Sequence, residues 1–314
     1  IELADYGHPK VDEGLPQYNL AYAVNQKDST PLFYELYDGS VIDNTELEIM
    51  LEEAKEFGHE KLGVLMDRGY ISEKNIKALR TKGYEYILMM KQNQRICQEI
   101  IEEYGAAVQS LEGYYIGEHG VYGTTVKKQL YGQETNIHVY YDDIRASEEK
   151  VALMSRYETW EKEIEKKVAK RIATEGEMKK YRKVFKLKYD QNGYLVAYQR
   201  NSRYIKEEIR NLGFFFIITS EEMSASKALD IYRGRDNIEK MFRSLKSGID
   251  FNKARVHTTE SLKSKVFVTF IAMIVRNELF QKAEELRKKN RKAYTVPGMI
   301  SELENIECTR NSVG

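Results

Sequence analysis

The chain has 314 residues, of which 42% are hydrophobic and 31% are charged, so it can bury a sizeable core and is not globally disordered. Lysine plus arginine and aspartate plus glutamate each number 49, so the formal net charge is zero and any polyanion-binding surface must come from a local patch. Its two cysteines, Cys97 and Cys308, exclude a disulfide framework and favour a reducing cytoplasm. The sequence shows neither a signal peptide nor an apolar run of roughly 18 residues, the length of a membrane span.

The first 95 residues alternate between strand and helix patterns. Two strand patterns, QYNLAYAVNQ and TPLFYELYDG, flank a predicted turn at residues 27–30. A helix is predicted in DNTELEIMLEEAKEFG, with Asp43 as its cap and Gly58 past its end. The short apolar run KLGVLMDRGY predicts a central strand buried on both faces, and YEYILMMK predicts another buried strand. Between them, a second helix is predicted from the cap Ser72 to Gly83.

Residues 96–210 change in composition and predict a mostly β insertion. The stretch GYYIGEHGVYGTTVKKQLYGQETNIHVYYDD is rich in Tyr, Gly and Thr and alternates, which is typical of antiparallel hairpins. A long charged helix is predicted in ASEEKVALMSRYETWEKEIEKKVAKRIATEGEMKKYRK, with Trp160 as a packing anchor. KVFKLKYDQNGYLVAYQRN then predicts a hairpin whose turn is Asn192-Gly193. The basic runs KKVAKR and KKYRKVFKLK indicate either solvated faces or phosphate contacts.

After the insertion the chain returns to an α/β pattern. GFFFIITS predicts a buried strand, and helices are predicted over 232–246, over 259–289 and in the tail AYTVPGMISELENI. In the helix YRGRDNIEKMFRSLK, four polar residues share one stripe about 60° wide beside the apolar stripe, namely Tyr232, Arg235, Glu239 and Lys246. Such a stripe fits an ordinary amphipathic helix with a salt-bridged flank, or a carboxylate held rigidly at the edge of the core.

A second carboxylate, Asp67, ends a strand pattern, at the position where α/β sheets place their chemistry. Taken alone, Asp67 fits a turn before Gly69 better than a catalytic role. The β insertion separates DRGY from GFFFIITS and the Tyr-x2-Arg-x3-Glu-x6-Lys helix. This combination resembles the DDE transposases of bacterial insertion sequences, in the branch whose signature is Y-x2-R-x3-E-x6-K. The stretch MDRGYISEKNIKAL resembles that family's second aspartate motif, and GSVIDNTEL and RVHTTESLKSKVFVTFIAMIV resemble flanking segments.

The resemblance implies an α/β fold of the ribonuclease-H-like (retroviral-integrase-like) class, with a mixed sheet and a mostly β insertion before the catalytic glutamate helix. It implies Asp67 and Glu239 as catalytic ligands of two Mg²⁺ or Mn²⁺ ions, which prefer carboxylate oxygens. Tyr232, Arg235 and Lys246 are then DNA-binding residues. The implied partners are double-stranded DNA, both terminal inverted repeats and target DNA, and a second copy of the chain on paired ends. The implied reaction is hydrolysis and strand transfer during cut-and-paste transposition at the bacterial nucleoid.

The first aspartate of the family's triad has no clear counterpart upstream of Asp67. Asp5 and Asp12 lie in ADYGHPKVDEG, a Gly- and Pro-containing loop without a preceding hydrophobic strand. We therefore expect the first strand and its aspartate to lie before Ile1. On this expectation, residues 1–314 are N-terminally truncated and inactive on their own, and Asp5 is the substitute candidate.

These patterns divide the chain into four segments: 1–95 as the first part of the catalytic domain, 96–210 as the insertion, 211–258 as the rest of the catalytic domain, and 259–314 as a C-terminal helical segment. Two other interpretations remain open, a catalytically inactive DNA-binding remnant of a transposase and a non-enzymatic α/β interaction module. Asp142-Asp143 indicates a turn or helix cap rather than a metal pair, and the five histidines lack metal-ligand spacing.

Overall fold

The computed structural model describes residues 17–25, 27–38, 43–56, 58, 63–66, 68–110, 114–170, 176–235, 255–290 and 295–305. The chain divides into two compact units, residues 1–62 with 230–314 and residues 63–229. Within the described ranges, no helix is both long and apolar enough to cross a membrane.

The described ranges contain ten strands and eight helices, which confirms the predicted α/β class. The strands are β1 (Tyr18–Val24), β2 (Pro31–Asp38), β3 (Gly63–Met66), β4 (Glu85–Met89), β5 (Tyr115–Ile116), β6 (Val121–Leu130), β7 (Gln133–Tyr141), β8 (Phe185–Tyr189), β9 (Leu195–Arg200) and β10 (Phe214–Thr219). The helices are α1 (Asp43–Glu56), α2 (Glu73–Thr81), α3 (Arg95–Ser110), α4 (Asp143–Lys170), α5 (Ser202–Asn211), α6 (Ala225–Arg233), α7 (Thr259–Asn290) and α8 (Val296–Glu304).

The first unit contains the antiparallel β1–β2 hairpin, which is covered on both faces. One face packs against α7, through contacts of Tyr18, Leu20, Tyr22, Tyr34 and Leu36 with Leu262, Val266 and Met273. Side chains of a strand alternate between faces, so Ala21, Phe33 and Tyr37 lie on the opposite face, where they are also buried. Glu35 on that second face forms a side-chain hydrogen bond with Glu53 of α1, which places α1 over it.

The second unit is built on a six-stranded mixed sheet with the order β3-β4-β10-β7-β6-β5. Strands β3 and β4 are parallel, and every other neighbouring pair is antiparallel. All six residues of β10 are buried, as the run GFFFIITS predicts, because β10 lies between β4 and β7. The insertion strands β6 and β7 therefore extend the same sheet as β3 and β4.

The prediction that KLGVLMDRGY forms a central strand buried on both faces is wrong. Strand β3 spans only Gly63–Met66, and within the described residues it pairs with β4 alone, at the edge of the sheet. Gly63 is exposed, Val64 and Leu65 are half-buried, and Met66 is buried. An edge position leaves one side of the strand without a neighbour, so a continuous apolar run does not guarantee complete burial.

A separate cluster in the second unit joins α4, α5 and the β8–β9 hairpin. Its core includes Tyr157 and Ile164 of α4, Phe185 and Leu195 of the hairpin, and Tyr181 of the connecting 3₁₀ turn. Trp160 packs against this core with its ring edge-to-face to Tyr181, at a centroid distance of 5.7 Å. The predicted roles of Trp160 as a packing anchor and of Asn192-Gly193 as the hairpin turn are confirmed, since Gly193 has a φ of +80° there.

Four predicted helices are confirmed, namely α1, α2, α7 and α8; α4 and α6 differ in their bounds, and two helices were not predicted. The helix predicted over 146–183 begins at Asp143 and ends at Lys170, and Asp142 caps it by accepting a hydrogen bond from the backbone N–H of Arg145. The sequence interpretation missed α3 and α5, because both lie in the stretch assigned to β structure. A helical signal was present in α3, where Cys97, Ile100, Ile101 and Val108 are buried at intervals of one helical turn.

Candidate functional site

The backbone that follows Asp67 is fixed by α2. Strand β3 ends at Met66, and Arg68–Tyr70 forms a 3₁₀ turn. The fully buried side-chain amide of Asn75 donates to the Tyr70 carbonyl oxygen at 2.9 Å. The hydroxyl of Ser72 caps α2 by accepting from the Asn75 backbone N–H at 3.2 Å, as predicted for this cap. The turn is therefore tied to the helix at its end distal to Asp67.

Sequence reasoning did not identify Asn75 as a residue that supports the site. The signal was its position three residues after the cap Ser72, inside the first turn of a helix. An asparagine there has no intrinsic advantage for helix formation, which suggests that its side chain has a separate hydrogen-bonding role. That role is the support of the Tyr70 carbonyl.

Strands β3 and β4 run parallel in the register Met66 to Leu88, so their carboxyl ends lie at one edge of the sheet. Beyond β4, the Met90 backbone N–H donates to the Phe216 carbonyl oxygen at 2.9 Å, which extends the pairing with β10 toward that edge. Carboxyl ends of parallel strands are where α/β sheets collect functional side chains. Strand β3 ends at Met66, at the edge of the sheet where such side chains collect.

The helix predicted over residues 232–246 requires correction in its described part. Helix α6 begins seven residues earlier than predicted, at Ala225, and ends at Arg233, so Arg235 lies in a turn beyond it. The Gly234 N–H still bonds back to the Asp230 carbonyl, whereas the Arg235 N–H bonds to the nearer Tyr232 carbonyl, both at 3.1 Å. Glycine favours such an end because it is the poorest helix former after proline.

Tyr232 and Arg235 nevertheless lie together. The Arg235 guanidinium carbon is 5.2 Å from the centroid of the Tyr232 ring, within the range of a cation–π contact. Only 5% of Tyr232 is exposed, so its ring belongs to the core rather than to the polar flank that the stripe predicted. Arg235 is half-buried and keeps part of its surface in contact with solvent.

The other predicted site residues, Asp67, Glu239 and Lys246, lie outside the described residues. The sequence predicts that the Asp67 and Glu239 carboxylates approach within about 4–8 Å, the range in which they can share metal ions. This distance stays a prediction. In the part of the chain that the structure describes, no three His, Cys, Asp or Glu residues are grouped so that they can hold a metal ion.

One buried histidine in the sheet has a structural role. His138 of β7 lies between Thr125 of β6 and Thr219 of β10, with ring nitrogen to hydroxyl distances of 2.8 and 3.0 Å. The Thr219 hydroxyl donates to the Glu221 carbonyl oxygen, so it accepts from His138 Nε2–H, and Nδ1 accepts from Thr125. Burial lowers the pKa of His138 to about 4, so the ring is neutral at neutral pH and cross-links three strands.

A family model described as a transposase DDE domain matches residues 2–275. This range includes β3, the turn after Asp67, the whole six-stranded sheet and most of α7. A search of curated proteins gave no match.

Proposed function

Because the chain belongs to the transposase DDE domain family, we propose that it carries out phosphodiester hydrolysis and strand transfer at the ends of an insertion sequence, in cut-and-paste transposition. The observation that carries this proposal is the extent of the family match, which spans both proposed carboxylates, Asp67 and Glu239. The buried Asn75 fixes the turn that follows Asp67, which is consistent with a requirement for a defined orientation of the Asp67 carboxylate.

Asp67 and Glu239 are the residues that would hold the divalent ions. Their carboxylate oxygens fit Mg²⁺ or Mn²⁺, because hard cations prefer oxygen ligands, and the described residues offer no competing cluster. When bound, such ions activate the attacking oxygen and stabilise the leaving oxygen of an in-line displacement at phosphorus.

The cationic residues of the motif bind and orient the DNA. Arg235 offers a planar fork of N–H donors that matches two phosphate oxygens, whereas Lys246 supplies a compact charge. The buried ring of Tyr232 lies under the Arg235 guanidinium and restricts its orientation. We assign Tyr232 to positioning Arg235 rather than to direct contact with phosphate, because its side chain is buried.

The proposed partners are double-stranded DNA, as terminal inverted repeats and as target, and a second copy of the chain on paired ends. The proposed organisation keeps the four segments 1–95, 96–210, 211–258 and 259–314, with the insertion interrupting the catalytic domain. The zero net charge of the chain requires DNA to be bound through local basic surfaces.

A nicking assay tests the proposed function. The protein is incubated with a labelled duplex carrying the element's terminal repeats, with and without Mg²⁺. We expect Mg²⁺-dependent nicking at the ends, and its loss in Asp67→Asn and Glu239→Gln, which keep shape and remove charge. Glu85→Gln, an exposed carboxylate at the opposite end of β4, is the matched control and keeps activity.

Two outcomes of this assay would change the assignment. DNA binding without any cleavage would indicate a catalytically inactive remnant rather than a transposase. Cleavage that is lost in Asp5→Asn would identify Asp5 as the first aspartate of the triad.

A further inference from the structure

The β8–β9 hairpin has one face that belongs to the core and one that faces solvent. Phe185, Leu187 and Tyr189 of β8 alternate inward, opposite Leu195, Tyr198 and Arg200 of β9, and Phe185 and Leu195 are fully buried. The outward residues are Lys186 and Lys188, whose cross-strand partners are Gln199 and Ala197. All four outward residues are exposed. The outward face, defined by these four residues, thus carries two cations and no carboxylate.

The acidic side chains nearest the hairpin are already engaged on its inner side. Glu161 of α4 forms an ion pair with Arg200, and Glu165 accepts a hydrogen bond from the Tyr198 hydroxyl at 2.9 Å. Glu163 pairs with Lys180 at 3.1 Å and accepts from the Tyr181 hydroxyl. These contacts lower the pKa of the Glu163 carboxyl, with the Tyr181 hydrogen bond as the largest cause.

The outward lysines are left without such compensation. Within the described residues, neither Lys186 nor Lys188 takes part in an ion pair, and the same is true of the exposed Lys183 that precedes them. Asp190, in the turn, forms hydrogen bonds within that turn instead: its Oδ1 accepts from the backbone N–H groups of Asn192 and Tyr194 at 2.9 Å.

Positive charge is concentrated in the segment that contains the hairpin. Residues 176–200 contain seven Lys and Arg against two Asp and Glu, whereas α4 contains seven of each. Lys186 and Lys188 are two residues apart on one strand, so they point the same way about 7 Å apart. The packed inner face already fixes the backbone of the hairpin, so little backbone conformational entropy is lost when a ligand binds.

We propose that the outward face of the β8–β9 hairpin is a contact surface for the phosphate backbone of duplex DNA, with Lys186 and Lys188 as its central cations and Lys183 at its margin. This surface would bind DNA through charge rather than through base sequence, because its other two residues, Ala197 and Gln199, are a small apolar residue and an amide. The inference rests on DNA as the proposed partner and places a contact at a distance in sequence from the catalytic motif.

The test is a salt titration of duplex DNA binding by the complete protein and by Lys186→Gln/Lys188→Gln. Each lysine that neutralises a phosphate adds about 0.9 to the slope of log affinity against log salt, so the slope should fall by about two units. The loss should be equal for terminal-repeat and unrelated duplexes. Lys186→Arg/Lys188→Arg keeps both charges and should restore the slope.

The matched control is Lys150→Gln/Lys206→Gln, which removes the same charge from exposed positions on the two helices that cover the inner face. An unfolding curve followed by Trp160 fluorescence should have the same midpoint in all variants, because Trp160 packs against the hairpin core. A slope in Lys186→Gln/Lys188→Gln equal to that of the control would overturn the proposal. So would self-association of this variant with an unchanged slope, because edge lysines would then serve only to prevent strand pairing.

The two proposals fail in different ways. If Asp67→Asn does not affect cleavage while the lysine variant reduces the salt slope, the catalytic assignment fails and the DNA surface stands. If the lysine variant behaves like the control while Asp67→Asn abolishes cleavage, the surface fails and the transposase assignment stands.

Discussion

The two isolated hairpins of this protein have the same topology and opposite surroundings. The β1–β2 hairpin is covered by α7 on one face and by α1 on the other, and both faces carry apolar or aromatic side chains. The β8–β9 hairpin packs on α4 through one face only, and its other face carries Lys186 and Lys188. A two-stranded sheet is marginal by itself, so the covering helices supply its stability and the uncovered face is available for charge.

The turns of the two hairpins also differ in whether another element holds them. The β8–β9 turn closes on itself through Asp190 and the left-handed Gly193. The β1–β2 turn is held by α7, whose Asn277 and Gln281 side-chain amides donate to the Asp28 carbonyl at 3.0 and 2.9 Å. The first hairpin is therefore integrated into its unit at both faces and at the turn, and the second hairpin at one face.

The largest expected effect comes from removing a core residue of the one-faced hairpin. Phe185→Ala deletes a fully buried ring and should lower the free energy of unfolding by about 3–5 kcal/mol, because the apolar burial of the ring is lost and a cavity is left behind. Val196→Ala, at an exposed position of the same hairpin, should change it by less than about 0.5 kcal/mol. Urea unfolding followed by Trp160 fluorescence measures both. Similar losses in the two variants would mean that the second face is also covered.

The covered second face of β1–β2 has an electrostatic cost. Burial, together with the hydrogen bond and charge of Glu35, raises the pKa of Glu53 from 4.5 to about 7. The folded chain therefore retains a proton that the unfolded chain releases from pH 4.5 upward. The contribution of this bound proton to the free energy of unfolding is therefore complete below pH 4.5 and is lost as the pH rises through 7.

Replacing Glu53 tests that cost. Glu53→Gln keeps a hydrogen-bond donor for Glu35 without a titrating proton, so it should stabilise the hairpin at pH 8 by about 1–2 kcal/mol, after discounting for solvent screening at this half-buried group. It should have little effect at pH 5. Hydrogen exchange of peptides covering residues 18–38 measures the difference. The exposed neighbour Glu52→Gln is the control, and an equal gain in that variant would refute the assignment to Glu53.

A smaller effect is expected at the turns. Asn277→Ala removes one donor from the Asp28 carbonyl while Gln281 remains, so opening of the β1–β2 turn should become easier by about 1 kcal/mol. Asp190→Ala should weaken its own turn by a comparable amount and leave residues 18–38 unaffected. Hydrogen exchange resolves the two regions in one experiment. Protection of the β1–β2 turn that is insensitive to Asn277→Ala would show that the helix contact is dispensable.

Local patterns predicted much of this architecture. The Asn192-Gly193 turn, the cap Ser72 and the apolar run of β10 each specify their own conformation through neighbouring residues, and all three are confirmed. The two hairpins were predictable as hairpins. The side-chain donors of Asn277 to a turn about 250 residues away were not, because no local pattern encodes such a contact.

The candidate site divides in the same way. The motif spacing predicted the family, and the match of the transposase DDE domain model over residues 2–275 confirms it. It did not predict that α6 ends at Arg233, because the polar stripe was followed through Gly234 although glycine is a poor helix former. Nor could it predict the support by Asn75, which depends on the path of the turn between β3 and α2.

Mn²⁺ titration tests whether Asp67 and Glu239, which are 172 residues apart in sequence, form one metal site. Free Mn²⁺ is measured by electron paramagnetic resonance with the unsubstituted protein, Asp67→Asn, Glu239→Gln and the double variant. We expect either single substitution to remove the same binding as the double substitution, because the effects of substituting two carboxylates that share an ion are not additive. No binding by the unsubstituted protein, or losses from the two substitutions that add independently, would contradict a shared site.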